Sequence, residues 1–179
     1  MKLFLFMFFI VFNICQEAVA IVANNNLCIT AEVIPDCIIS PSILNFPNVS
    51  SGQTSSSIIG FCSFDIRATN GLNINIHLSK GENISSDFKG TRIMKCGSNF
   101  IEYELYSDAA CTHVWNESSG IVYSSKDARP YPIKIYGKVF VDKNTSPGVY
   151  TDHVVILPEC TETHIAPTVL EVKFNYPKP

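Results

Sequence analysis

The chain is poor in the residues that most protein chemistry requires. Of its 179 residues only 16% are charged, four are histidine, one is tryptophan, and the formal net charge is −3. No basic stripe is present to hold a phosphate backbone, so nucleic acid is not an expected partner. The pattern G-x-S-x-G is missing, which removes the usual nucleophile elbow of a serine hydrolase. Sustained apolar spacing at the helical period is missing too, so no amphipathic helix is expected. A single long apolar run occurs, at the N-terminus, and no other approaches the about 20 residues that a membrane-spanning helix needs.

That run sets the expected compartment. Lys2 precedes Leu3 to Phe12, an unbroken apolar stretch, and Ala18-Val19-Ala20 places small residues where a signal peptidase reads. The arrangement predicts a secretory signal peptide over residues 1–20, cut after Ala20, with a retained anchor as the alternative. Lipidation at Cys15 is disfavoured, because Phe12-Asn13-Ile14 stands where small residues are needed. The remaining residues, 21–179, have the length of one domain. Beyond the leader lie six cysteines, Cys28, Cys37, Cys62, Cys96, Cys111 and Cys160. An even number in an exported chain argues for disulfides, but six cysteines allow fifteen pairings and the sequence alone does not choose.

What the sequence does contain is strict alternation, the mark of strands with one buried face. Leu27, Ile29, Ala31 and Val33 share one face of an N-terminal segment, residues 21–36. Leu72, Ile74, Ile76 and Leu78 alternate with Asn73, Asn75 and His77. Ile101, Tyr103 and Leu105 alternate with Phe100, Glu102, Glu104 and Tyr106. Ile133, Ile135, Gly137, Val139 and Val141 form a fourth inward set, and Leu170, Val172, Phe174 and Tyr176 a fifth. Turn formers separate these runs, and Asn70-Gly71 between two of them is the strongest hairpin signal. Short strands with polar turns predict one all-β sandwich or barrel.

Few residues offer chemistry. Cys111-x-His113 has the look of half a zinc site, yet zinc needs two more ligands. The candidates are Cys96, Cys160 and His164, and the last two sit on a distant segment. In an oxidising compartment cysteines pair instead, so no metal and no other cofactor is expected. Glu102 and Glu104 share a strand face, but nothing supplies the sugar cleft that a two-carboxylate glycosidase would need. His77, His113, His153 and His164 are isolated and read as surface residues. Asp108 sits at a strand end, where a short carboxylate caps a turn. Arg92 reads as a structural hydrogen-bonding or ion-pairing group. No catalysis is expected.

Four stretches together resemble the spore coat protein U domain family, the subunit fold of archaic chaperone–usher pili. Cys37 is followed by ILNFPNVSSG, where the family usually has an aromatic–glycine pair, and then by GFCSFDI with Cys62. GTRIM, with Arg92 and Met94, resembles the family's arginine–methionine turn. FIEYELYSDAACTHVW follows its tyrosine–leucine–tyrosine–serine–aspartate–alanine run, with Tyr103, Leu105, Tyr106, Asp108 and, at the end of the stretch, Trp115. IYGKVFV and SPGVYTDHVVI match its late segments through Gly137, Gly148, Tyr150 and Asp152. The resemblance spans about Cys37 to Ile156.

The resemblance implies an immunoglobulin-like β-sandwich over residues 37–179 that lacks its last strand and is completed by a donor strand. The implied partners are a periplasmic chaperone, an outer-membrane usher and neighbouring pilus subunits, with passage through the periplasm to a surface fibre. The implied role is adhesion or biofilm formation. It also implies a Cys37–Cys62 disulfide, leaving Cys96–Cys111 with Cys28–Cys160 as the preferred remainder. A missing edge strand leaves unpaired backbone groups beside an apolar slot, which an extended segment with alternate apolar residues can fill. Leu27, Ile29, Ala31 and Val33 meet that requirement as a donor, or else form the first strand of their own sheet. The chain departs from the family after the tyrosine–aspartate strand, where LPECTETHIAPTVLEVKFNYPKP continues. That tail either carries the usual terminal strand after an insertion or closes the groove in cis. The second case describes a self-complemented sandwich, such as a tip adhesin or coat protein.

Overall fold

The structure, a computed structural model, describes residues 30–49, 56–83 and 90–178. The expected signal peptide therefore lies outside the described residues, as do Leu27, Cys28 and Ile29. The chain divides into the units Met1–Val33 and Ile34–Pro179. Among the described residues there is no helix. The described residues of the second unit hold ten strands: β1 (Cys37–Ile39), β2 (Ser42–Asn45), β3 (Ser56–Ala68), β4 (Asn73–Leu78), β5 (Arg92–Cys96), β6 (Asn99–Tyr106), β7 (Ile121–Ser124), β8 (Tyr131–Val141), β9 (Gly148–Glu159) and β10 (Thr168–Tyr176).

The four alternating runs of this unit form strands on the faces expected. Ile74, Ile76 and Leu78 are fully buried in β4, and so are Tyr103 and Leu105 in β6. Ile135 and Val139 in β8 and Leu170, Val172 and Phe174 in β10 complete the pattern. Every second side chain leaves water, which drives the assembly through apolar burial.

Strand order is β1-β3-β8-β6-β5-β9-β10-β2, with β4 pairing β9 on one side and β7 on the other. The sheet folds over on itself at β5. That strand pairs fully with β6 but meets β9 at the single pair Lys95↔Thr151. Its two arms then enclose one apolar cluster. Trp115 spans that core, its ring 6.3 Å from Phe64 of β3 and its Nε1–H donating to Ile76 O of β4 at 2.8 Å. The first segment serves both arms: β1 pairs β3, and after Ser40-Pro41 β2 pairs β10 in parallel. Proline lacks the N–H that ladder pairing would use, so a break in pairing suits this switch. The architecture is an immunoglobulin-like sandwich.

Two expectations are corrected. Asn70-Gly71 is a turn but not a hairpin, since β3 and β4 do not pair. Both edges of β3 are occupied, by β1 and β8, so the chain passes to the facing arm. The turn is held instead by Gly71 N donating to Ser125 O at 2.9 Å. The second correction concerns residues 30–36, which form no strand. Ala31 and Val33 are exposed there.

Candidate functional site

The candidate site is the slot between β9 and β2, and β10 lies in it. Nine residues of β10 pair antiparallel with β9, from Thr168↔Ile156 to Tyr176↔Gly148. On the other side Leu170 to Lys173 pair in parallel with Ser42 to Asn45, and Phe46 N donates to Lys173 O at 2.9 Å. The backbone groups of both flanking edges are thereby satisfied, as buried edges require. Leu170, Val172, Phe174 and Tyr176 point into the core, and Phe174 meets Phe46 edge-on at 5.9 Å.

Gly137 shows why this packing needs a residue without a side chain. It pairs with Gly60 across β8 and β3. A Cβ on Gly137 would stand 2.8 Å from Phe46 Cζ and 3.1 Å from Leu44 Cδ1. The two glycines leave the recess into which Phe46 and Leu44 descend. Phe46, where the family's aromatic–glycine pair was sought, thus couples β2, β3, β8 and β10.

The charged motif residues build a polar brace inside this frame. Arg92 is 3% exposed. Its Nε donates to Ser79 O at 2.9 Å, and Nη2 donates to Ser79 O, Trp115 O and Leu78 O. Nη1 pairs with Glu104. Asp152, 1% exposed, accepts from the Tyr103 hydroxyl at 2.6 Å, from Glu82 N and Asn83 N, and from Asn83 Nδ2. Burial raises the Asp152 carboxyl above its ordinary value against the lowering effect of these bonds. Burial, then the Asp152 carboxylate, pushes the Tyr103 hydroxyl well up. These groups bond to one another and to the backbone, so they fix loops.

Asp108 caps its turn as expected, accepting from Thr112 N at 3.1 Å and His113 N at 2.7 Å. Met94 is fully buried. Tyr106 closes the loop through a bridge to Val114. Tyr150 donates to Ser146 O at 2.7 Å, and Gly148 lies against the Cys96 sulfur. No group of three or more metal-ligating side chains occurs among the described residues. Glu102 accepts from Thr91, and Glu104 belongs to Arg92, so the two carboxylates do not face a common cleft. An open depression of about 870 Å³ is lined by Tyr123, Tyr131 and Tyr136 with Asp108, Asp127 and Arg129.

The expected disulfide pairings do not fit the register. Cys37 lies opposite Ala68, six residues along β3 from Cys62, or about 20 Å at strand rise. Cys96 pairs with Asn99 at one end of β6, whereas the loop carrying Cys111 leaves its other end. Disulfides need Cα atoms within about 7 Å, so neither Cys37–Cys62 nor Cys96–Cys111 can close in this fold. Cys28–Cys160 involves a residue outside the described ones. Cys37, Cys62, Cys96, Cys111 and Cys160 are all thiols here.

Sequence reasoning missed Phe46, Gly60, Glu82 and Asn83. A signal for the last two was present: Asp152 falls on the inward face of an alternating strand, and a carboxylate there demands donors.

The sandwich, with its first segment serving both sheets and β10 lodged between β2 and β9, has counterparts among known structures. Solved structures agree on the fold. CfaE, the adhesive subunit of CFA/I fimbria of enterotoxigenic Escherichia coli, is similar at 15% identity and a TM-score of 0.53, over 78% of this chain and 46% of that one. CsuE, the tip subunit solved with CsuC from the archaic chaperone–usher Csu pili of Acinetobacter baumannii, is similar at 20% identity and a TM-score of 0.50, over 71% and 40%. The CupB6 tip adhesin of Pseudomonas aeruginosa is similar at 10% and 0.51, over 78% and 41%. The match covers less than half of each of these structures. No curated protein sequence matches. The Spore Coat Protein U domain matches residues 23–157, and the chain belongs to that family. The family and the three neighbours named here are structural proteins rather than enzymes.

Proposed function

We propose that this protein is an exported structural subunit of a chaperone–usher surface fibre whose acceptor groove is closed by its own tail. The observation that carries this reading is the position of β10. It begins at Thr168, beyond the family match that ends at residue 157, and pairs with both β9 and β2. A groove already filled has no place for a neighbour's strand, so the subunit would end a fibre or decorate it, as a tip adhesin or coat component. Its partners on this reading are a periplasmic chaperone in transit, an outer-membrane usher and one neighbouring subunit. It would pass through the periplasm to the cell surface and serve attachment or biofilm formation.

A second reading keeps the chain as a polymerising subunit that donates Leu27, Ile29, Ala31 and Val33. The exposure of Ala31 and Val33 outside any strand favours it. One experiment separates the two. Produced without a chaperone, the mature chain should be a stable monomer that ignores a peptide of residues 21–34. A chain ending at residue 160 should aggregate unless a peptide of residues 168–176 is supplied. Aggregation of the full-length mature chain, relieved by the 21–34 peptide, would overturn self-complementation and favour polymerisation.

A further inference from the structure

We propose that Cys37 and Cys160 form a disulfide that staples the first strand of the sandwich to the end of β9. Cys37 opens β1 opposite Ala68, the last residue of β3. The turn after Ala68 leads into β4, whose Asn75 pairs with Glu159, the last residue of β9. Cys160 follows directly. Both cysteines therefore lie at one end of the sandwich, on either side of one turn.

Hydrogen bonds clasp the two segments there. Thr163 Oγ1 donates to Pro35 O at 3.0 Å. Asp36 N donates to Thr69 Oγ1 at 3.0 Å, and Thr69 N returns a bond to Asp36 O at 2.9 Å. From the Thr163–Pro35 clasp Cys37 is two residues away, roughly 7 Å at full extension, and Cys160 three, roughly 11 Å. Cys37 is buried in the apolar cluster, and Cys160 packs against the same cluster. The two thiols also sense each other. Burial, then Asp36, then Cys160 push the Cys37 thiol up to about 11. The other described cysteines lie elsewhere: Cys62 toward Ser42, Cys96 against Gly148 at the far end of β9, and Cys111 in its own loop.

The oxidant is a second disulfide, from a thiol–disulfide oxidase or oxidised glutathione. The Cys160 thiolate attacks one of its sulfurs, giving a mixed disulfide and releasing one thiol. Deprotonated Cys37 then attacks the Cys160 sulfur and releases the second thiol, so the two electrons leave with the reduced oxidant. The link encloses β1 to β9, while β10 hangs outside it on residues 161–167. The frame of the groove is thus closed covalently, and the strand that fills it stays free to dock.

The proposal uses the oxidising compartment that export would supply, so its test is run in vitro as well. Purified reduced mature protein is incubated in a glutathione redox buffer, alkylated, digested without reduction and mapped by mass spectrometry. A linked pair of peptides carrying residues 37 and 160, two hydrogens lighter than their sum, is expected. Oxidation should raise the melting temperature of the wild type, and Cys160→Ser should abolish that rise. Cys37 joined to another cysteine, or both recovered as alkylated thiols, overturns the staple. Material made in a periplasm that arrives reduced yet closes in the buffer overturns export and leaves the staple standing.

Discussion

Phe174→Ala tests whether the tail strand is a working part of the sandwich. Phe174 is fully buried, edge-on to Phe46 at 5.9 Å and 6.0 Å from Tyr176. Truncating a buried phenylalanine removes its transfer free energy and leaves a cavity, about 3–5 kcal/mol together. A domain of this kind holds about 5–15 kcal/mol in total, so the change consumes a large share. With a urea m-value of about 2 kcal/mol/M, the unfolding midpoint should fall by roughly 1.5–2.5 M. The neighbouring Asn175 is exposed, and Asn175→Ala should move stability by about 0.5 kcal/mol or less. Phe46→Ala combined with Phe174→Ala should cost less than the sum of the singles by about 0.5–1.5 kcal/mol, the worth of the ring pair. If Phe174→Ala shifts the midpoint no more than Asn175→Ala while Phe46→Ala keeps its full effect, β10 is not seated in solution.

Three further outcomes are expected. Arg92→Met leaves Glu104 and the carbonyls of Leu78, Ser79 and Trp115 without their donor, and should destabilise by about 3–5 kcal/mol. Arg92→Lys should not restore that loss in a thermal melt, because one ammonium cannot reproduce the planar fork. Asp152 has a folded pKa raised above its ordinary 3.8, mainly by burial, so the folded state holds that proton more tightly than the unfolded one. Its contribution is present below the unfolded value and is lost as pH rises through the folded one. Urea titrations from pH 3.5 upward should therefore show the wild type losing stability relative to Asp152→Asn as the carboxyl ionises. Gly148→Ala would place a Cβ 2.5 Å from the Cys96 sulfur and should cost about 1–3 kcal/mol by overpacking. Adding Cys96→Ala should recover most of it, and no recovery would mean that the crowding lies elsewhere.

The alternating runs were legible because strand periodicity is local. Ile74, Ile76 and Leu78 declare their face within six residues, whatever pairs with them. Arg92 and Asp152 were legible as motif residues, and Asp152's inward position hinted at buried partners. Their partners were not legible: Asn83 reaches Asp152 across 69 positions of sequence. Asn70-Gly71 misled for a related reason. A turn dipeptide reports how the backbone bends, not which strand edges are already taken. The Cys37–Cys62 pairing does not fit the register for a like reason, since the family pattern places the two on neighbouring strands without fixing the register between them.

By itself the sequence determined that the chain is built from half-buried strands and which face of each is apolar. Those properties depend on the chemistry of neighbouring residues and on a period of two. It also held an alternating tail pattern at Leu170 to Tyr176 without saying where that strand goes. Only the tertiary structure decided that β10 lies between β9 and β2, and that Cys37 stands opposite Ala68 rather than Cys62. Both facts depend on which edge remains open once the sheet has curled, a property of the whole fold and of no single segment.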